Sequence, residues 1–506
     1  MYTASSISQK KKSEVPSLLI ICGVILILTF CLSPYSPFYR YCFSSDEVCY
    51  KTISMGILHG KLPYRDLFDH KGPLTYFLFA FGFLISGGAN WGAFLVCYLL
   101  DAFAFIFSYK TCRLFLSEDE SLLSVILTVL FTSITIQNIY TTGSKPENML
   151  LAPLMISTYL FMKHTCSEEG KETHIVPAGK MFLIGLCCGA VFMIKLNVCL
   201  FYLAFVGCYF LWLLVKKHWK NFFCGAGAFL AGIAAVTLPC MLFYYVKGGL
   251  QAFFDVYFVF NLKYSGGKDG FLYLTKRAVP VTGKISLTVF LLLIVASLFL
   301  EFKKKTLSKQ KIIMAVLGLI TFVGLTFSFV CTYFFIVFMP FFLYGTNFAA
   351  TALTKISDKK TNAFQLSIIA AVVPLCFVGF QLFLVPYVPS QKEECETVIE
   401  EYAKAHPDAD YVSFCSLCLP VYDQYLKASP DFRMFYIPLF YTDEVFLEHA
   451  AIVRNGQADV VVYREITGDD AWNQAVYDLL ASSGYKEYYA YRLNDDADIT
   501  RMFVLE

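Results

Sequence analysis

Apolar runs of about 18 residues or more, the length needed to cross the hydrocarbon of a bilayer, recur along most of this 506-residue chain. Composition agrees: 57% of residues are hydrophobic and 16% charged, and the mean hydropathy is +0.58. The chain therefore reads as an α-helical polytopic membrane protein. Its net charge of +2 says little about partners, because the charges are segregated by loop. No basic patch interleaved with aromatics points to nucleic acid. The 18 cysteines are scattered, and most lie in apolar runs, where cysteine serves as a small hydrophobe. Cys415 and Cys418 form a CxxC, with no second pair at zinc-finger spacing. A disulfide stays open there if the region is extracytoplasmic. The Tyr and Phe residues are read mainly as lipid-facing surface and interfacial belts.

Charge placement sets the topology. Lys10, Lys11 and Lys12 precede the first apolar run, Ser17–Leu32, which lacks a small-residue cleavage site and is read as a retained helix with its lysines in the cytoplasm. A dense charged stretch, Ser44 to Leu74, follows and is then outside. Leu74–Ser86 is apolar but short. If it does not span and Trp91–Phe115 does, every later short basic cluster falls on one side. These clusters are Lys110 with Arg113, then Lys163, Lys171 and Lys180, then Lys216, Lys217 and Lys220. Lys303 to Lys311 and Lys355 to Lys360 complete the series. Making Leu74–Ser86 a span inverts everything after it and breaks the positive-inside pattern. The expectation is about eleven spans, with the N-terminus in and the C-terminus out. Lys247–Lys284 is read as a long outer loop.

Composition changes after Pro386. We divide the chain into a membrane domain, 1–386, with its first outer loop at 35–90, and an extracytoplasmic α/β domain, 387–506. Helices are expected at Glu393–Ala405 and Ala471–Ala481. Strands are expected at Tyr411–Phe414, Asp459–Tyr463, Glu487–Leu493 and Met502–Leu505. This domain shows no phosphate-binding glycine loop, GxSxG or HExxH, and reads as a lid or docking module.

A membrane catalyst needs ionisable groups that can meet a substrate. The first outer loop supplies Asp46, Glu47 and the Arg65-to-Lys71 cluster. Asp46–His59 has helical spacing, with its two acids at the N-terminus, where the helix dipole favours carboxylates; it reads as an amphipathic surface helix. Glu147 lies in TTGSKPEN, and Lys195 and Asn197 lie in an apolar hairpin. A lysine at the end of a membrane helix is often only a snorkelling residue at the headgroups; a carboxylate, with its short stem, has less reach. Two acidic sites and a cation cluster on one face suit transfer to a hydroxyl. A carboxylate takes the acceptor's proton, and a phosphate leaving group needs nearby positive charge, from Arg65, His70, Lys71 or Lys195. One base and a phosphate clamp imply a single inverting displacement. No His or Cys cluster demands a metal. A pair of acids can hold a divalent ion, but the sequence does not favour one, and no cofactor is expected.

The stretch SSDEVCYKTISMGILHGKLPYRDLFDHKGPL resembles the first extracytoplasmic loop of GT-C glycosyltransferases. The similarity is to the bacterial relatives of protein O-mannosyltransferases and to the lipid A aminoarabinose transferase. Asp46-Glu47, Gly60-Lys61-Leu62-Pro63-Tyr64 and Lys71-Gly72-Pro73 match that family in order and spacing. The resemblance implies that Asp46 is the catalytic base and that Lys71 lies at the donor phosphate. It also implies that Glu147 is the acidic residue of the next outer loop, and that Lys195 ends a Gly-Leu-rich helix. YFFIVFMP, from Tyr333, resembles a later segment near the donor site. The family also has an apolar outer-surface helix after the first loop, which is where the lysine count places Leu74–Ser86. One departure stands out: His70-Lys71-Gly72-Pro73 replaces Glu-Lys-Pro-Pro of the aminoarabinose branch, which implies a different sugar or acceptor. The resemblance covers the first 350 residues or so and is absent from the C-terminal domain.

The reading that follows is a multi-pass enzyme of the cell membrane. It takes a sugar from a polyprenyl-phosphate carrier and transfers it outside to a glycan, lipid or protein, with Glu47 and Glu147 orienting the base or the acceptor. Two alternatives are a lipid-linked glycan flippase and a non-catalytic assembly partner. A flippase places ionisable residues in mid-membrane and often shows paired repeats, whereas here charge gathers at one face and no repeat is visible. The intact Asp46-Glu47 pair and Lys71 weigh against an inactive relative.

Overall fold

The computed structural model describes residues 14–39, 45–135, 144–166, 174–265, 281–303, 316, 318–321, 336–356, 364–372, 376, 394–414, 425–429, 443–465, 468–491 and 499–506. Among the described residues the membrane part is built of helices. It runs α1 (Val15–Leu32), α2 (Ser45–Leu58), α3 (Pro73–Ser86), α4 (Asn90–Cys112), α5 (Glu118–Thr135), α6 (Pro146–Met149), α7 (Leu151–Thr165), α8 (Ala178–Ile194), α9 (Leu200–Val215) and α10 (Trp219–Val246). Then come α11 (Leu250–Phe254), a π-helical segment Asp255–Phe260, α12 (Asn261–Ser265), α13 (Val281–Lys303) and α14 (Met339–Ile356). Five helices among the described residues are long and apolar enough to cross a membrane: Val15–Leu32, Asn90–Cys112, Leu196–Val215, Trp219–Val246 and Ile336–Ile356.

The short apolar run of the first loop is helix α3, 14 residues long. At 1.5 Å per residue it reaches about 21 Å, short of the roughly 30 Å of hydrocarbon. Gly72-Pro73 starts it, and Gly87 and Gly88, both at positive φ, turn the chain straight into α4. The two helices touch backbone to backbone at Gly82 and Gly92, where an added Cβ on Gly92 would lie 1.9 Å from the Gly82 carbonyl oxygen. Helix α2 packs on α3 through Tyr50, Tyr76 and Phe79, and Ser54 donates to the Tyr76 carbonyl at 3.0 Å. Its inner face is buried from Glu47 to Tyr50 and again at Ile53 and Ser54.

Two further crossings hold the bundle. α8 and α10 meet through Gly185 and Gly232, whose missing Cβ atoms would fall 2.1 Å from the Phe229 carbonyl and 2.2 Å from the Phe182 carbonyl. α5 and α14 are joined by hydroxyls: Ser124 bonds Thr346 at 3.0 Å and Asn347 at 2.7 Å, and Thr128 bonds Thr346 at 2.9 Å. Small residues and interhelical hydrogen bonds do the work that hydrophobicity cannot do between helices in lipid.

The stretch expected as a long loop from Lys247 to Lys284 is helical at both ends, through α11, the π segment and α12 on one side and the first turn of α13 on the other. Phe253, Tyr257 and Phe260 give it an aromatic face, and Phe253 stacks on Tyr244 of α10. The expected span Ile312–Phe329 falls almost wholly outside the described residues. Of Phe364–Val385, residues 364–372 are helical.

Among the described residues the C-terminal part is a five-stranded sheet with helices. Its strands are β1 (Asp410–Phe414), β2 (Lys427–Ala428), β3 (Val460–Arg464), β4 (Tyr485–Tyr491) and β5 (Thr500–Leu505), in the order β2-β1-β3-β5-β4. β1 is parallel to β2 and β3; β5 is antiparallel to β3 and β4. β1 and β3 are buried along almost their whole length, as central strands covered on both faces should be. The expected helices are α15 (Glu394–Ala405) and α17 (Asp470–Ser482). α16 (Asp443–Arg454) was not expected. Its signals are present in retrospect: acids in the first turn, Phe446, Ala450 and Val453 at helical spacing, and Asn455-Gly456 at the stop. The domain boundary at 386/387 and the CxxC of Cys415 and Cys418 lie outside the described residues.

A candidate active site where the first loop meets two lysine-bearing turns

Chain direction brings four segments to one end of the bundle: the exit of α1, the entry to α7, the exit of α8 and the first loop. Asp46 and Glu47 occupy the first turn of α2. They part at once, because consecutive helical positions face different ways. Glu47 is fully buried, while the Asp46 side chain is 43% exposed.

Between them stands Lys145, which the sequence reading passed over. Its Nζ lies 2.7 Å from Asp46 Oδ2 and 3.1 Å from Glu47 Oε2, and its side chain is only 5% exposed. Ser144 Oγ donates to the other Glu47 oxygen at 2.8 Å. Lys145 caps the one-turn helix α6 in extended conformation, with Pro146 as the first helical residue. That turn sends neighbouring side chains to opposite sides. Lys145 reaches back to α2, while Glu147, also buried, pairs with Lys195 at the end of α8. The signal was in hand: TTGSKPEN carries a lysine two residues before the glutamate.

The second half of the site is a knot around Asp69. Tyr76 donates to its Oδ2 at 2.8 Å, the His70 backbone N–H to Oδ1 at 2.7 Å, and Lys71 Nζ lies 3.5 Å from Oδ1. The Tyr64 hydroxyl donates to the Lys71 carbonyl at 2.6 Å, from a residue held at φ 71°. Gly72 N–H then bonds the Ile194 carbonyl at 3.0 Å. A Cβ at position 72 would sit 2.2 Å from the Met193 carbonyl oxygen, so Gly72 lets the loop lie flat on the end of α8. This strap keeps Lys71 and Lys195 on adjoining segments. Asn261 Nδ2, from α12, donates to the His70 carbonyl at 2.8 Å.

Burial alone would raise the carboxyls here, but the ammonium groups overcome it. Burial opposes ionisation of Asp46, and Lys145 and then Lys71 hold it below the usual carboxylate range. Burial likewise opposes ionisation of Asp69, while Lys71, His70 and Tyr76 hold it well below that range. Lys71 is raised: burial works against its charge, and Asp69 and Asp46 outweigh it. Lys145 is raised too, against its burial, by Glu47 and Asp46. His70 moves the other way, lowered by burial first and Lys71 next, with Asp69 only partly compensating. The shift favours its neutral imidazole over the charged form considered for it.

Of the residues expected at the site, Asp46, Glu47, His70, Lys71, Glu147 and Lys195 converge, and Asp69 and Lys145 join them. Arg65 does not. It is exposed, paired with Asp66 at 2.7 Å, and donates to the Lys247 carbonyl at 2.8 Å. The cause is local: Lys247 caps the C-terminus of α10, where unpaired carbonyls and the helix dipole draw a cation. Tyr333 lies outside the described residues.

Comparison with known proteins fits this geometry. The family model for dolichyl-phosphate-mannose-protein mannosyltransferase matches residues 70–244. No curated protein matches the chain. Among solved structures, ArnT from Cupriavidus metallidurans in the apo state aligns over 96% of this chain and 98% of its own, at 12% identity and TM-score 0.61. The same protein bound to undecaprenyl phosphate aligns over 96% and 97%, at 13% identity and TM-score 0.58. The apo oligosaccharyltransferase of Archaeoglobus fulgidus aligns over 95% of this chain and 74% of its own, at 12% identity and TM-score 0.52. The fold is thus the one seen in ArnT and in the archaeal oligosaccharyltransferase, and over residues 70–244 the chain is similar to the dolichyl-phosphate-mannose-protein mannosyltransferases.

Proposed function

We propose that this chain transfers a sugar from a polyprenyl-phosphate-linked donor to an extracytoplasmic glycan, lipid or protein, with inversion at the anomeric carbon. The observation that carries the proposal is Asp46: a half-exposed carboxylate kept ionised by Lys145 on one side and Lys71 on the other. In the proposed step the acceptor hydroxyl gives its proton to Asp46, and its oxygen attacks the anomeric carbon. The bond from that carbon to the phosphate oxygen breaks, and the electron pair leaves with the polyprenyl phosphate. Lys71 and Lys195 take up the charge that appears on the phosphate. A depressed pKa makes Asp46 a weak base, which suits glycosyl transfer. Its transition state has oxocarbenium character, so the bond to the leaving group is largely broken before the acceptor needs to give up its proton.

Purified protein in liposomes, given a panel of radiolabelled polyprenyl-phosphate sugars, tests this. Wild type should consume one donor, and Asp46→Asn should lose roughly 10²–10⁴-fold of that rate. Equal turnover by the two proteins would move the base elsewhere, Glu147 being the next candidate. A folded wild type that consumes no donor but scrambles lipid-linked sugar across the bilayer would favour the transport reading.

A further inference from the structure

An acid pair beside a departing phosphate invites a divalent ion, and the residues here can be tested for one. Two ligands, Asp46 and Glu47, are the right type, but the space between their inner oxygens is taken. Lys145 Nζ is within hydrogen-bond distance of both, at 2.7 and 3.1 Å. Ser144 holds the remaining Glu47 oxygen. Among the described residues no three His, Cys, Asp or Glu side chains converge as metal ligands. The donor set therefore does not fit a resident divalent cation.

We infer that Lys145 is a built-in cation that stands where a metal would stand between Asp46 and Glu47, and that it positions Asp46 for a metal-independent transfer. This rests on the glycosyl-transfer reading for its catalytic part, but the occupancy of the acid pair does not. The geometry supplies what such a cation needs. Lys145 is anchored from below by the fully buried Glu47, so the buried pair fixes the ammonium. The ammonium then presents one N–H to the exposed carboxylate above it. Its backbone is equally fixed, because Lys145 is the cap of a turn whose first residue is Pro146 and whose next side chain is tied to Lys195. An ammonium gives Asp46 a directed hydrogen bond and one positive charge. A divalent ion would give two charges but would need further oxygen ligands or water. With Lys145 in place, one Asp46 oxygen is engaged and the other is left for the acceptor.

The test needs no known substrate. Mn²⁺ is titrated into the full chain in detergent and followed by its electron paramagnetic resonance, for wild type, Asp46→Asn, Lys145→Ala and the double variant. Wild type should bind no more Mn²⁺ than Asp46→Asn does. Lys145→Ala should gain a Mn²⁺ site that the double variant lacks. Where a donor is turned over, EDTA should leave the wild-type rate within about twofold. Lys145→Ala should lose about a hundredfold and recover part of it with Mn²⁺, and Lys145→Arg should retain more than Lys145→Ala. Two results overturn the inference: Mn²⁺ bound by wild type and lost in Asp46→Asn, or a folded Lys145→Ala that gains no Mn²⁺. If Lys145→Ala does not fold, the wild-type and Asp46→Asn comparison decides alone. A protein that turns over no donor leaves the Mn²⁺ result standing, so failure of the transfer reading and failure of this inference are told apart.

Discussion

At the level of single residues, the site is a set of acids each matched to a lysine: Asp46 and Glu47 to Lys145, Asp69 to Lys71, Glu147 to Lys195. The pairing fixes a pH dependence. Asp46 is lowered from its ordinary value, so as pH falls from neutral it stays ionised through the usual carboxylate range near pH 4 and is protonated only below it. His70 is also lowered, which favours its neutral form. The rate measured as kcat/KM should therefore be flat from pH 7 down to about pH 5, with its acid limb below that. Lys71→Met removes a cation that favours the charged form of Asp46, so the limb should move to higher pH. A step near pH 6.5 that His70→Gln abolishes would instead make the imidazole the titrating base. Six of the eight converging side chains were legible because acids and lysines are rare in such a chain. Lys145 was not legible because the spacing of TTGSKPEN does not show that its lysine and its glutamate leave a one-turn helix on opposite sides. Arg65 was misassigned because sequence proximity to Lys71 says nothing about which way a turn faces.

Among the helices, apolar length and capping residues gave the order of the bundle, and the brevity of α3 was visible in its 14 residues. Helix contacts were not visible, since every face of a membrane helix is apolar. The glycines carry that information. Gly185 and Gly232 bring α8 and α10 to backbone contact, and α8 ends at Lys195, so this crossing sets where a site residue sits. Gly232→Val should push the helices apart, since a Cβ there meets carbonyl oxygen and backbone nitrogen that have no rotamer to change. The expected cost is about 1–3 kcal/mol, read as a lower thermal unfolding temperature in detergent. Gly227→Val is the control on the same helix. A Cβ at that position has nothing within 4 Å, so it should leave unfolding unchanged. Equal losses from both variants would mean that the helix, and not the crossing, is what valine disturbs.

For the whole molecule, the two ends of the bundle differ in kind. One end carries the paired acids and lysines of the site. The other collects the basic residues of the short connections: Lys110 and Arg113 at the end of α4, Lys163 and His164 at the end of α7, Lys180 in the first turn of α8, and Lys216, Lys217 and Lys220 around the turn from α9 to α10. Lysines and arginines gathered in short connections are what the positive-inside rule expects of the cytoplasmic side. On that expectation the site faces outside, the side on which the proposed transfer would take place. It depends on α3 staying out of the membrane core: were α3 to span, every later connection would change sides and the basic end would face outward. With the outward last span that the sequence leads one to expect, the C-terminal sheet would share the side of the site. Fusions at Glu506 decide the matter. Alkaline phosphatase joined there should be active and green fluorescent protein dark, with the reverse pattern for fusions after Lys217. Bright fluorescence at Glu506 with dark fluorescence after Lys217 would invert the bundle and turn Asp46 and Lys71 toward the cytoplasm. The same bright signal at Glu506 with unchanged behaviour after Lys217 would confine the error to the spans beyond α10, leaving the site where the lysines place it.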